Sequence, residues 1–146
     1  MQKDIKLVSA TATTIIEAMQ MEFVDNEGLS TPLDASFEYT PADPYAVSIL
    51  FKGEPVPVRW TFARDLLVEG FYEPTGDGDV HVWPCLSAEG TAVVILELNS
   101  PSGEVLIQIS SRAVSAFVQQ MLTIVPQGFE ASLIDFDDEI SELLGA

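Results

Sequence analysis

Apolar residues in this chain follow two spacings, one of period two and one of helical period, and the change between them marks out the elements. Met19, Met21 and Phe23 alternate with polar neighbours, although Ile15, Met19 and Phe23 also fit one helical face. The turn-forming run Asp25-Asn26-Glu27-Gly28 and the β-like segments beyond it favour a strand over Ile15 to Val24. Ala35 to Thr40 alternates through Phe37 and Tyr39. Tyr45 to Phe51 and Val56 to Phe62 flank Gly53-Glu54-Pro55 and predict a hairpin. Ala63 to Glu69 predicts a short helix, with Thr61 as its N-cap and Gly70 as its stop. Beyond the tight-turn cluster Pro74-Thr75-Gly76-Asp77-Gly78, three more strands are predicted: Asp79 to Pro84, Thr91 to Leu98 and Glu104 to Ile109.

A longer helix follows. Ser110 or Ser111 caps it, Ala113/Val114, Phe117/Val118, Met121/Leu122 and Ile124/Val125 form a broad apolar face, and Pro126 and Gly128 close it. That face fits burial between a sheet and a last helix. It fits equally a contact with a neighbouring subunit, formed by Val114, Phe117, Val118 and Met121. A short C-terminal helix begins near Asp135, with Asp137, Asp138 and Glu139 in its first turn and Phe136, Ile140, Leu143 and Leu144 as its stripe. The expected class is α+β: antiparallel β-sheets with a long helix and a short C-terminal helix. Residues 1–14 read as a loosely ordered segment and 15–146 as one domain. Ile15 to Gly70 and Asp79 to Val125 share an element order, a hint of internal symmetry without a residue-level repeat.

Composition narrows the function. Apolar residues make up 47% of the 146 residues and charged residues 20%, which suits a globular core. Six Lys and Arg stand against 23 Asp and Glu, a net charge of −17. Lys3, Lys6, Lys52, Arg59, Arg64 and Arg112 are too few and too scattered to neutralise a phosphate backbone or an anionic membrane. A single cysteine, Cys85, allows no internal disulfide and points to a reducing, cytoplasmic setting. No run approaches the roughly 20 apolar residues of a spanning helix.

Candidate chemistry is sparse. His81 is the only histidine, and alternation in Val80-His81-Val82-Trp83 places it on the face of Trp83, as a structural residue without partners for a triad or a zinc site. Cys85 has no basic neighbour to activate it. Asp77-Gly78-Asp79 starts like a calcium loop, but Val80, His81 and Val82 stand where ligands belong. No nucleophile elbow and no phosphate loop occurs. The reading is a non-enzymatic protein with no catalytic residue, metal or cofactor.

Several segments carry a resemblance. Asp43-Pro44-Tyr45-Ala46-Val47, Trp60-Thr61-Phe62-Ala63-Arg64-Asp65-Leu66-Leu67 with Glu69-Gly70, Pro74 to Val80, Val82-Trp83-Pro84, Ser100 to Glu104 and the tail Phe136 to Leu144 together resemble the SsgA-like proteins of actinobacteria, small sporulation and cell-division proteins. The resemblance implies a fold like the Whirly and guide-RNA-binding proteins, assembled as a homotrimer. It implies an adaptor that recruits or positions the tubulin-like division GTPase FtsZ and concentrates at division septa. It brings no catalytic residue or cofactor. Arg64, Asp65 and Glu69, with Asp137, Asp138 and Glu142 of the tail, are the residues expected to face the partner. The fold relationship also raises an alternative, single-stranded nucleic-acid binding, which the net charge of −17 opposes.

Overall fold

The computed structural model describes residues 14–52 and 58–131. Residues 1–13, residues 53–57 with the predicted turn Gly53-Glu54-Pro55, and the predicted C-terminal helix lie outside the described residues, and with them Asp137, Asp138 and Glu142.

The strands are β1 (Ile15–Val24), β2 (Ser30–Tyr39), β3 (Ala46–Phe51), β4 (Val58–Ala63), β5 (Thr75–Asp77), β6 (Val80–Leu86), β7 (Ala92–Ser100) and β8 (Gly103–Ser110). Helix α1 (Arg64–Gly70) follows β4, and α2 (Ser111–Ile124) follows β8. All eight strands join one antiparallel sheet in the order β4-β3-β2-β1-β8-β7-β6-β5. The chain therefore repeats one pattern, a four-stranded meander closed by a helix. The two meanders meet where β1 pairs with β8, from Met21 opposite Ile109 to Val24 opposite Leu106. The symmetry hinted at by element order is real at the level of topology.

Local chemistry explains the turns. Between β1 and β2, the Asp25 carboxylate accepts hydrogen bonds from the backbone N–H of Glu27 and Leu29, both at 2.9 Å. Gly28 there takes a φ of 82°, a left-handed conformation that glycine adopts without steric cost.

Period-two alternation sorts each strand onto two faces. Met19 and Met21, Val80 and Val82, Val94, Leu96 and Leu98, and Ile107 and Ile109 turn to one side and form the core with both helices. Helix α2 lays Val114, Phe117 and Met121 onto this face, where the Phe117 ring meets Phe37 at 5.1 Å between centroids and 59° between planes. That arrangement corrects the reading of Val114, Phe117 and Met121 as subunit-contact residues. All three are fully buried within their own chain, and Val118 is half-buried against the same core. The long helix spends its apolar face on its own sheet.

Ser110 caps α2, its hydroxyl accepting from the Ala113 N–H at 3.1 Å. Removing that acceptor in Ser110→Ala is expected to cost about 1 kcal/mol, read as a fall of a few degrees in Tm with an unchanged fold. Helix α1 is built differently. Thr61, the expected N-cap, lies inside β4 and bonds its hydroxyl to Ser48 at 2.8 Å. The N-cap position is Ala63, whose methyl group accepts no hydrogen bond, and the Arg64 N–H donates to the Tyr45 carbonyl at 2.8 Å. Gly70 ends α1 against β6, where an added Cβ would sit 2.3 Å from Cγ1 of Val82. The close approach of helix and strand needs a residue without a side chain.

Candidate functional site

Two regions stand out from the packed core: the surroundings of α1, and the face of the sheet turned away from the helices. Around α1, the sequence places Arg64 and Asp65 in the first turn and Glu69 near the end of the helix. Asp65 and Glu69 are exposed, as a partner-facing role requires. Arg64 is not. It is fully buried, and its guanidinium is consumed internally. Nη2 and Nε donate to Oε2 of Glu130 at 2.8 and 3.2 Å, and Nη1 donates to the Tyr39 hydroxyl at 3.2 Å. The guanidinium also stands 5.5 Å from the centroid of the Tyr39 ring. Tyr39 in turn donates to the Pro44 carbonyl at 2.9 Å, and the Gly128 N–H donates to the other Glu130 oxygen at 2.9 Å. Arg64 is therefore a clasp, tying β2, the β2–β3 loop and α1 to the segment that follows α2.

The electrostatics of the clasp agree with its geometry. Burial pushes the Glu130 carboxyl up, yet its own backbone N–H, Arg64 and the Gly128 N–H together hold it below the ordinary carboxyl range. Burial raises the Tyr39 hydroxyl and outweighs the nearby guanidinium, so Tyr39 remains a donor to Pro44. Glu130 was not legible as a clasp partner. It lies 66 residues from Arg64 in sequence, and only folding joins them.

The other face of the sheet carries Glu22 and Val24 from β1, Leu106 and Gln108 from β8, Ile95 from β7 and Trp83 from β6, with Cys85 and Leu86 at the end of β6. These residues line an open cleft of about 530 Å³. Both helices pack on the opposite face. Ile95 is only 8% exposed yet lies outside the main core, and Trp83, Leu106 and Val24 are half-buried. Leu86, at 67% exposure, forms an apolar rim. A second hollow of about 280 Å³ shares Glu22, Ser87, Glu89 and Gln108 with the first and extends toward Leu33. Among the described residues, no Lys, Arg or His lines either hollow. The sequence named Trp83 as an aromatic and Cys85 as an inert thiol, but not the concavity that the paired strands build around them.

His81 occupies this same face, half-buried as alternation predicted. Its Nδ1 lies 3.4 Å from Oε1 of Glu97, shielded from solvent and without hydrogen-bond geometry. Glu104 is bonded to Glu97, and sharing that bond with a like charge raises its carboxyl above the ordinary value. Among the described residues, no group of three or more His, Cys, Asp or Glu side chains is arranged to hold a metal ion.

Residues 33–130, from β2 to Glu130 of the clasp, match the family model described as Streptomyces sporulation and cell division protein, SsgA. The chain belongs to the SsgA family. It is 42% identical over 133 residues to the sporulation-specific cell division protein SsgB of Streptomyces coelicolor, covering 90% of this chain and 96% of that protein. The SsgB of Frankia casuarinae is also 42% identical, over 132 residues, covering 90% of this chain and 92% of that one. Solved structures agree. An SsgA-like sporulation-specific cell division protein from Thermobifida fusca superposes with a TM-score of 0.81 at 34% identity, over 90% of this chain and 96% of that one. A chain solved in work on SsgB mutations and longitudinal cell division during sporulation of Streptomyces coelicolor gives 0.78 at 42% identity, over 83% of this chain and 95% of that one. The SsgA-family match thus contains α1, the clasp and the lining of the cleft from Trp83 onward, while Glu22, Val24, Gly28 and Ser30 precede it.

Proposed function

We propose that this chain is a non-enzymatic adaptor of sporulation septation that positions the division machinery, FtsZ foremost, through protein–protein contacts. The observation that carries this reading is its near full-length similarity to proteins named sporulation-specific cell division protein SsgB. The surface is consistent with it: Tyr45, Tyr72, Leu86 and Phe129 are large apolar side chains left exposed on a strongly acidic molecule. An oligomer, taken here as a trimer, would repeat one binding face and hold a polymer by several weak contacts. No helix among the described residues is long and apolar enough to cross a membrane, so placement at septa would come from partners. Single-stranded nucleic-acid binding is disfavoured, since its basic groove has no counterpart in a chain of net charge −17.

Co-sedimentation of the purified chain with GTP-assembled FtsZ from the same source, at two salt concentrations, tests the reading. Polymer-dependent pelleting is expected, and its salt dependence measures how far the acidic surface contributes. Absence of pelleting at micromolar concentrations would remove direct recruitment of FtsZ by this chain alone.

A further inference from the structure

We propose that the cleft on the face of the sheet opposite α1 and α2 seats a basic, amphipathic helical segment of a protein partner. Such a segment would lay aliphatic side chains on Trp83, Ile95 and Leu106 and turn Lys or Arg toward Glu22 and Glu89. The inference rests on the adaptor reading and names the chemistry of the partner.

Three features of the cleft select this occupant. The first is its floor. Val24 and Leu106 face each other across β1 and β8, and Ile95 and Trp83 face each other across β7 and β6 one two-residue step along, so the apolar floor runs diagonally over four neighbouring strands, with Leu86 exposed at the rim. At about 4.8 Å per strand the strip is roughly 14 Å across, the reach of two to three helical turns.

The second feature is backbone satisfaction. Over the cleft β1, β8 and β7 are internal to the sheet, whereas β5 pairs with β6 only from Val80 to Val82 and leaves the outer edge of Trp83–Leu86 open. That edge is short and broken by Pro84, which has no N–H, so no extended ladder is on offer across the cleft floor. An incoming segment must therefore satisfy its own backbone, which a helix does and an extended peptide does not.

The third is charge. The charged residues of the lining are Glu22 and Glu89, and Glu22 spends one oxygen on Gln108 at 3.3 Å. Glu97 stands opposite Leu106 in register, and with Glu104 it crowds two carboxyl groups at the end of the strip. A cationic segment relieves that crowding, and the Trp83 indole offers a face to a guanidinium. A net charge of −17 repels acidic segments and nucleic acid from the same place.

The chain's single cysteine, Cys85, lies in the cleft and is exposed, so its alkylation by a maleimide reports occupancy directly. The probes are two synthetic helical peptides of about 14 residues, one of Leu and Arg at helical spacing and one with Glu in place of Arg. The Leu/Arg peptide is expected to bind saturably and to slow Cys85 alkylation roughly tenfold, as direct coverage of a thiol requires. Glu22→Gln/Glu89→Gln is expected to weaken it roughly fivefold, the effect of two charge pairs at the surface, one half-buried and one exposed. Leu86→Ser, at a position exposed enough to leave folding intact, is expected to weaken it by a comparable factor through lost apolar contact. Equal binding of the Leu/Glu peptide, or binding of the Leu/Arg peptide with Cys85 still reactive, overturns the proposal. So does protection of Cys85 that grows with protein concentration alone, which would make a second copy the occupant. FtsZ pelleting separates the two readings. Loss of pelleting with Cys85 still protected by the Leu/Arg peptide fells recruitment and leaves the cleft standing, whereas intact pelleting with Cys85 unprotected overturns the cleft alone.

Discussion

Glu130→Ala destabilises the folded chain by about 3–5 kcal/mol, because it leaves the Arg64 guanidinium buried with only Tyr39 as a partner. Arg64 and Glu130 are 0% and 6% exposed, so water cannot replace the missing carboxylate. In a domain of this size such a loss lowers Tm by roughly 10–15 °C, measurable by thermal melts followed by circular dichroism. The mirror substitution Arg64→Met strands the carboxylate and is expected to cost a similar amount. The double variant Arg64→Met/Glu130→Leu removes both charges and is expected to recover most of the loss, since the pair's attraction mainly offsets its own desolvation. Two single losses that simply add would show that the clasp is not a coupled pair.

The clasp also sets a pH dependence. The folded Glu130 carboxyl titrates below its ordinary value of 4.5, so it binds protons less readily than in the unfolded chain. Its stabilising contribution is present above that ordinary value and is lost as pH falls through the depressed folded one. Glu130→Gln, less stable at neutral pH, is expected to show a flatter decline in urea midpoint through this acid window. Parallel acid profiles of the two proteins would place the acid sensitivity elsewhere.

Phe117→Ala is expected to cost about 3–5 kcal/mol, the range for emptying a fully buried aromatic site. The substitution removes the ring that meets Phe37 and leaves a hollow between α2 and the sheet. Phe117→Leu keeps most of the volume and is expected to cost much less. The pair of variants discriminates between a core residue and a subunit contact. A core residue lowers Tm at every protein concentration and leaves the cleft face unchanged. Near-native Tm with a changed oligomeric state, by light scattering, would return Phe117 to an interface.

Much of the fold was legible because it is written in short-range pattern. Strand β1 runs from Ile15 to Val24 as alternation and the Asp25-to-Gly28 turn implied, and Ser110 caps α2 as its position before an apolar run implied. Strand β5 was legible only as a turn cluster, because Thr75 to Asp77 is short and polar and exists through pairing with β6. Thr61 had the right chemistry for a cap and the wrong place, since cross-strand pairing with Ser48 claimed both its backbone and its hydroxyl.

The site was less legible than the fold. Arg64 looked like a surface cation at a helix start, and no local signal reveals a carboxylate 66 residues away. Val114, Phe117 and Met121 made an apolar face that sequence could assign to either a sheet or a subunit. The cleft depends on four strands drawn from both halves of the chain, so no window of sequence contains it. By itself the sequence determined the order of elements, the family resemblance and the acidic charge, because periodicity, turn chemistry and composition act over neighbouring residues or over the whole chain at once. Only the tertiary structure decided which charge is buried, which apolar face is spent on the core and which lies open, because those depend on what distant strands and helices bring alongside.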